Sequence, residues 1–273
     1  MRVAAVMLVV LLSGVACGSP PQAPVTPPPQ PPLLSGTIVD LSHPYDNQTI
    51  FWPTAERFAL RTVADGMTPG GFYYAANRFS MEEHGGTHVD APRHFAAGRW
   101  TVDEIPIERL RGAAVVIDVS GEAARDADYQ VRVADLQAWE RQYGAIPSQS
   151  ILLLRTGYSA RWPDASRYLG TSERGQPAVA LLHFPGLHPD AARWLVAERR
   201  PHAVGIDTAS IDFGQSTTFE SHRVLFEQNI PAFENLAALE RLPPSGAVVV
   251  ALPMKIRGGS GAPLRAIAIL PAP

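Results

Sequence analysis

A proline-rich segment near the start of the chain limits where a folded domain can begin. Eight of the thirteen residues from 20 to 32 are proline. Such a segment cannot form a packed helix or sheet, and it tends to form an extended, semi-stiff spacer. We therefore interpret residues 18–34 as a linker and predict that one folded domain occupies residues 35–273.

The residues before this linker have the features of an export signal. Arg2 is followed by an apolar run over residues 3–12 and then by small residues up to Cys17. The run is shorter than the roughly 20 apolar residues of a membrane-spanning helix, so residues 1–17 predict export. Cys17 is the only cysteine, and it follows Val-Ala as in the lipid-attachment site of bacterial lipoproteins. This predicts a lipid anchor and a periplasmic or membrane-anchored location; the alternative is an incidental cysteine in a signal cleaved elsewhere.

The composition from Ser35 onward is that of a globular protein with an apolar core. Over the whole chain 46 % of residues are hydrophobic and 18 % are charged, with a formal net charge of −3. The chain contains no basic run and no basic–aromatic stripe, which argues against a nucleic-acid partner.

Segments typical of strands and of helices alternate along the domain. Apolar runs bounded by turn residues predict strands, and apolar residues at helical spacing predict helices. The predicted strands are 36–41, 72–80, 113–119, 151–154, 203–206, 247–252 and 264–270, and the predicted helices are 133–143, 189–199 and 219–228. The alternation predicts a mixed α/β domain.

Residues 84–95, with the sequence HGGTHVDAPRHF, hold three of the eight histidines and one aspartate. Two glycines and a proline favour a tight, rigid turn that points several side chains at one place. Imidazole nitrogen and carboxylate oxygen suit a divalent metal such as zinc or manganese. A site with few protein ligands also leaves room for a water that attacks a carbonyl. The motif therefore predicts a metal centre in a hydrolase, and a structural polar cluster is the alternative.

Two other regions supply candidate residues. His222 and Glu234 lie twelve residues apart, and by spacing alone they are unremarkable, since the first could equally belong to a solvated helix face. Trp52 and Phe72 lie in aromatic segments that are candidate walls of a pocket for a flat ligand. Ordinary core packing is the alternative for both aromatic residues.

The histidine motif resembles the H-x-G-T-H-x-D-x-P-x-H pattern of the cyclase-like metal-dependent hydrolases, a family that includes bacterial kynurenine formamidase and isatin hydrolase. Shorter segments resemble the family in the same order: DLSHP at 40–44, LLRTG at 153–157 and GIDTASID at 205–212. The late pair His222 and Glu234 also has the family's spacing. The resemblance extends from about residue 38 to residue 270.

The resemblance implies a single α/β domain of the swivelling β/β/α type, with a central mixed, barrel-like sheet flanked by helices. It implies a homodimer or homotetramer and one or two zinc or manganese ions per subunit. The ligands it implies are His84, His88 and Asp90 for the first ion and Asp90, His222 and Glu234 for the second. Asp90 would then bridge the two ions, and His94 would be the catalytic base.

The activity implied by the resemblance is hydrolysis of an amide bond in a small aryl formamide or cyclic amide. N-formylkynurenine, an intermediate of tryptophan catabolism, is the best-known substrate class of the family. Because that pathway is expected in the cytoplasm, the export signal leaves a cyclic imide, a lactone or an isatin-like compound open. An exported binding lipoprotein without turnover is the alternative from another class, and the fourth, non-ligand histidine His94 favours an enzyme.

Overall fold

The computed structural model describes residues 36–271 of the chain. The predicted export signal with Cys17 and the predicted linker over 18–34 lie outside the described residues. The described strands are β1 (Ile38–Asp40), β2 (Ala59–Met67), β3 (Tyr73–Ser80), β4 (His88–Asp90), β5 (Arg111–Asp118), β6 (Gln130–Val131), β7 (Ile151–Arg155), β8 (Gly186–Leu187), β9 (Ala203–Ile206), β10 (Ala232–Glu234), β11 (Ser245–Pro253) and β12 (Gly261–Ile269). The α-helices are α1 (Ser120–Ala123), α2 (Val133–Tyr143), α3 (Ala165–Leu169), α4 (Pro189–Trp194, continued by a π-helical turn over Leu195–Arg199) and α5 (Glu220–Phe226).

Seven of these strands close into a mixed β-barrel. The order around the barrel is β12, β11, β5, β7, β9, β10 and β4, and β4 then pairs with β12. The run from β5 to β10 is parallel, whereas the pairings of β4, β11 and β12 are antiparallel. β1 adds to the far end of β12. The predicted α/β domain with a barrel-like mixed sheet is therefore confirmed.

The strands of the parallel run are apolar on both faces because each face covers a separate core. In β7, Leu153 packs into the cluster formed by strand residues from around the barrel interior. Its neighbours Leu152 and Leu154 point the other way and pack against helix residues such as Leu136 and Phe226. This double burial accounts for the continuous apolar runs seen in the sequence.

The helices cover the outer face of the barrel. The prediction for 133–143 coincides with α2, where Leu136 and Trp139 are buried and Gly144, with φ of 91°, ends the helix. The predicted helix over 189–199 is α4 with its π-helical continuation. Between residues 36 and 271, no helix has the length and apolar character needed to cross a bilayer.

β2 and β3 form a separate two-stranded ribbon. The sequence predicted β3 but not β2. Both faces of the ribbon carry exposed apolar side chains, among them Leu60, Val63 and Tyr74. A two-stranded ribbon has little stability alone in water. The exposed apolar faces of the β2–β3 ribbon are therefore suited to burial against another protein surface.

Candidate metal centre

Closure of the barrel places three of the predicted site residues. His88 and Asp90 lie on β4, where a spacing of two turns both side chains to the same face. Glu234 lies on β10 directly opposite His88. β12 pairs with the other edge of β4, with Gly261 opposite Asp90. The three buried side chains therefore project from two paired strands, each of which is held on both edges.

A glycine turn brings His84 back towards this strand. Gly86 has φ of 58°, a conformation that favours glycine. At Gly85 a Cβ atom would lie 2.0 Å from the ring of Phe51, so only glycine fits there. The chain folds back in this way until His84 Nδ1 lies 2.7 Å from Asp90 Oδ1.

His222 reaches the same place from helix α5. Asp212 accepts hydrogen bonds from the backbone amides of Ser221 (3.0 Å) and His222 (3.1 Å), which fixes the first turn of the helix. The same carboxylate lies 2.5 Å from His222 Nδ1. The opposite ring nitrogen, Nε2, then lies 3.2 Å from Asp90 Oδ2 and 3.0 Å from Glu234 Oε1.

The structure thus brings together all five residues that the resemblance named as ligands. Candidate ligand atoms of His84, His88 and Asp90 lie within 4.8 Å of one another, and so do those of Asp90, His222 and Glu234. Asp90 belongs to both groups and lies where it could bridge two ions. Their role as metal ligands stays a prediction that the geometry now makes specific.

The hydrogen bonds of the histidines decide which ring nitrogens are free to bind a cation. His88 Nδ1 lies 2.9 Å from the Gly86 carbonyl oxygen, to which it can only donate. Its Nε2 therefore carries the lone pair, is buried and has no hydrogen-bond partner. That lone pair faces Asp90 Oδ1 at 3.0 Å and Glu234 Oε2 at 3.5 Å. An imidazole lone pair against two carboxylates is unfavourable unless a positive charge lies between them.

The same argument holds for His222. Nδ1 faces the Asp212 carboxylate and donates to it, which leaves Nε2 turned towards Asp90 and Glu234. Burial lowers the pKa of His222, but the three carboxylates more than offset it and raise that pKa well above its ordinary value. Nε2 therefore favours a positive charge, and a proton and a metal ion would compete for one lone pair.

The pKa values of the two carboxylates in the centre are shifted in opposite directions. Burial raises the pKa of Asp90, but the neighbouring histidines, led by His84 and His94, hold it well below its ordinary value. Burial and then the charge of Asp90 raise the pKa of Glu234. Imidazole nitrogens and carboxylate oxygens that converge in this way form a donor set that fits zinc or manganese.

His94 lies beside this cluster but belongs to neither group of candidate ligands. It ends a short 3-10 helix over Pro92–His94, and its ring stacks on that of His84 with centroids 3.8 Å apart. Burial lowers the pKa of His94 to about 4. The imidazole is therefore neutral at pH 7 and able to accept a proton.

A family model described as "Putative cyclase" matches residues 39–213, which is more than half of the chain. The chain belongs to the cyclase family. The match contains the histidine motif, whereas His222 and Glu234 follow it in sequence and join the site through the fold.

Proteins that are similar to this cyclase-family chain include named hydrolases. It is 32 % identical over 209 residues to an isatin hydrolase from Roseibium aggregatum, covering 74 % of this chain and 77 % of the relative. It is 28 % identical over 233 residues to a kynurenine formamidase from Salinibacter ruber, covering 84 % and 96 %. Isatin hydrolase A from Labrenzia aggregata, bound to benzyl benzoate, has a TM-score of 0.78 at 34 % identity, covering 86 % and 94 %. The predicted family and the hydrolase class are confirmed.

In this cyclase-family protein the cluster lies at the base of a cavity of about 360 Å³. Its walls are largely aromatic and include Phe51, Trp52, Phe95 and Phe219. Phe95 and Phe219 stack with centroids 5.0 Å apart, and Trp52 lies 6.3 Å from Phe219. None of the described residues that line the cavity is lysine or arginine. The aromatic walls suit a flat, apolar ligand.

The structure places the two predicted substrate-binding aromatic residues in different regions. Trp52 lines the cavity, as predicted from its segment. Phe72 does not line it: the residue lies at the turn between β2 and β3, and 62 % of it is exposed. A position at the tip of a separate ribbon, rather than on the barrel, accounts for this difference. Within one chain the structure gives Phe72 no contact with the site.

Several residues at the site were not singled out from the sequence. Asp212 lies in the family-like segment GIDTASID, and its contact with His222 depends on the tertiary fold. Phe95 could have been predicted to lie at the site, because it directly follows His94 at the end of the histidine motif. Phe219 has φ of 48°, which is unusual for a bulky residue. The sequence pattern around Phe219 does not indicate this conformation.

Proposed function

We propose that this protein is a metal-dependent amidohydrolase that opens a small, uncharged cyclic amide fused to an aromatic ring. One observation carries the proposal: three imidazoles and two carboxylates converge in the lining of a cavity with aromatic walls, and none of the described residues that line this cavity is lysine or arginine. The named relatives support the reaction type. The isatin hydrolase with bound benzyl benzoate supports the ligand class, because that ligand is aromatic and uncharged.

In this proposal His84, His88 and Asp90 hold one divalent ion, and Asp90, His222 and Glu234 hold a second where two are present. Zinc or manganese would polarise the amide carbonyl and lower the pKa of a water that it binds.

The remaining chemistry belongs to His94 and the cavity walls. An imidazole nitrogen of the neutral His94 accepts the proton that the attacking water loses and then donates it to the leaving nitrogen. The aromatic walls orient the flat ring of the substrate and exclude water from the carbonyl.

The cavity also weighs against the aryl-formamide alternative. N-formylkynurenine carries an α-carboxylate and an α-ammonium group. A buried carboxylate needs a partner of opposite charge or hydrogen-bond donors. None of the described lining residues is lysine or arginine, so only the proposed metal ions and neutral donors such as Thr54, Ser210 and Asn235 could serve a carboxylate there. An uncharged cyclic amide requires no such partner.

The test compares substrates on the full chain before and after chelation. Isatin, N-formylkynurenine, an aryl lactone and a cyclic imide would each be offered to protein loaded with zinc or manganese. We expect chelator-sensitive hydrolysis with kcat/KM highest for isatin. A preference for N-formylkynurenine would favour the formamidase, and a preference for the lactone or imide would move the activity to that ester or imide class. Metal binding without turnover of any of them would favour the binding lipoprotein.

We further propose that the protein is an exported homo-oligomer. The exposed apolar side chains on the β2–β3 ribbon support burial against a second copy, and light scattering of the purified chain would give its mass in solution. The export signal and the lipid anchor at Cys17 rest on the sequence alone. Mass spectrometry of the mature N-terminus would test both, and an unmodified, uncleaved start would contradict them.

A further inference from the structure

The ring of His84 is held on its outer side by two residues that the family resemblance did not name. His84 Nε2 lies 2.9 Å from Ser260 Oγ, and Ser260 Oγ lies 2.7 Å from Glu83 Oε2. The same carboxylate oxygen accepts hydrogen bonds from the backbone amides of Ser260 (2.9 Å) and Gly261 (3.3 Å). Glu83, adjacent to His84 in sequence, is thereby tied to the start of β12.

The single hydroxyl proton of Ser260 determines the direction of these hydrogen bonds. If this proton went to His84, the serine oxygen and the Glu83 carboxylate would face each other at 2.7 Å without a proton between them. The hydroxyl therefore donates to Glu83, and its oxygen accepts from His84 Nε2–H. With the proton on Nε2, Nδ1 faces Asp90 Oδ1 at 2.7 Å, and this contact is favourable only with a positive charge between the two atoms, either a second proton or a metal ion.

The backbone around Ser260 is shaped for this contact. A Cβ atom at Gly261 would lie 2.5 Å from the imidazole of His84, and one at Gly259 would lie 2.9 Å from a Glu83 carboxylate oxygen. The Gly-Ser-Gly turn therefore leaves room for both side chains while it presents the serine hydroxyl between them.

His84 is also the histidine of the cluster that most needs such a restraint. Its side chain is 24 % exposed, whereas those of His88 and His222 are each 2 % exposed. Burial and direct contacts with a backbone carbonyl or with Asp212 hold the other two rings. Outside the cluster, Ser260 supplies the corresponding contact for His84.

We infer that Glu83 and Ser260 are positioning residues, which keep the proton of His84 on Nε2 and so reserve Nδ1 for the metal ion. The inference rests on the proposed metal centre and adds to it a role for two residues that never touch the ion. Partners of this kind change metal affinity by roughly 10- to 100-fold when they are removed.

The test uses two measurements on the full chain. The first locates the proton of His84 by nitrogen NMR of the imidazole at pH 8, before zinc is added. The second measures zinc affinity by competition with a chromophoric chelator. The variants are Ser260→Ala, which removes the hydroxyl; Ser260→Thr, which keeps it; and Glu83→Gln, whose amide can donate to Ser260 and so let the hydroxyl donate to His84. Glu108→Gln removes an exposed negative charge that lies outside the cavity and these contacts, and it is the matched control.

We expect Nε2 of His84 to carry a proton in the wild-type chain, in Ser260→Thr and in Glu108→Gln. Ser260→Ala and Glu83→Gln should lose this preference and bind zinc roughly 10- to 100-fold more weakly. A wild-type His84 with its proton on Nδ1 alone, or a Ser260→Ala variant with unchanged zinc affinity, would overturn the inference. Failure of the wild-type chain to bind zinc would instead count against the proposed function, because the NMR measurement needs no metal.

Discussion

Glu234 on β10 lies directly opposite His88 on β4, and the two side chains approach to 3.5 Å between Oε2 and Nε2. The pairing that joins these strands is also one of the two that close the barrel. The cluster therefore forms only when the barrel closes. A metal ion bound there would favour the folded chain over the unfolded one, because the ligands are assembled only in the fold.

The separate roles of Asp90 and His94 lead to the first prediction. His94→Ala should keep the bound metal and lose turnover by roughly 10²- to 10⁴-fold, the usual contribution of a general base. Asp90→Ala should lose the metal as well, because Asp90 belongs to both groups of candidate ligands. Metal analysis and steady-state kinetics of the two variants check this. Full activity in His94→Ala would show that another group accepts the proton.

Asp212 should act on the metal through His222. Asp212→Asn weakens the hydrogen bond to His222 Nδ1 and permits the amide to reverse it, so the ring no longer presents a fixed Nε2 lone pair. We expect zinc affinity to fall roughly 10- to 100-fold. Asp190→Asn is the control, because its carboxylate is 70 % exposed and pairs with Arg193 at the surface. Equal zinc affinities in the two variants would contradict a role for Asp212 in metal binding.

Gly85 and Phe51 should behave as a coupled pair. A methyl group at Gly85 collides with the Phe51 ring, which forms part of the cavity wall. Gly85→Ala should therefore lower the free energy of unfolding by about 1–3 kcal/mol, as overpacking does, and raise KM.

The matched control for this pair is Gly121→Ala, where the nearest atom to a new Cβ is a flexible arginine nitrogen at 4.0 Å. In a Phe51→Ala background the effect of Gly85→Ala should largely disappear. Denaturant unfolding and KM of the four chains give the coupling. Additive effects would mean that the two residues act independently.

Arg174 should control substrate affinity by holding the segment that carries Trp52. Its guanidinium donates to the carbonyl oxygens of Trp52 (3.0 Å), Phe51 (3.5 Å) and Ala55. Arg174→Met should free this wall and raise KM by roughly 10-fold, or about 1.4 kcal/mol, with little change in kcat or metal content. Arg57→Met, which alters a neighbouring arginine, is the control. A fall in kcat at constant KM would contradict a positioning role.

Local sequence was enough to predict the residues of the histidine motif, because His84, His88, Asp90 and His94 lie within one short turn and strand. His222 and Glu234 could be assigned only through the family resemblance. Their spacing of twelve has no local meaning, since it combines helix α5, a turn and strand β10. Asp212 and Ser260 depend on contacts between distant segments, which a single sequence does not display.

Strands β5, β7, β9, β11 and β12 could be predicted from their apolar runs, and helix α2 could be predicted from apolar residues at helical spacing. β4 and β10 have three residues each, too few for a periodic pattern. β2 lies on an exposed ribbon, so no buried face imposes alternation on it. Phe72 was misplaced for a related reason: an aromatic residue has the same appearance in sequence whether it lines a cavity or lies at a ribbon tip.

The most direct test of the account is the metal content of the purified full chain. After treatment with a chelator and dialysis, zinc or manganese would be titrated into the wild-type chain and into Asp90→Ala, with circular dichroism to confirm that both are folded. We predict that the wild-type chain binds one or two ions and regains hydrolysis, whereas Asp90→Ala binds none with comparable affinity. A folded wild-type chain that takes up no divalent ion, or one that hydrolyses its substrate equally well without metal, would contradict the central claim.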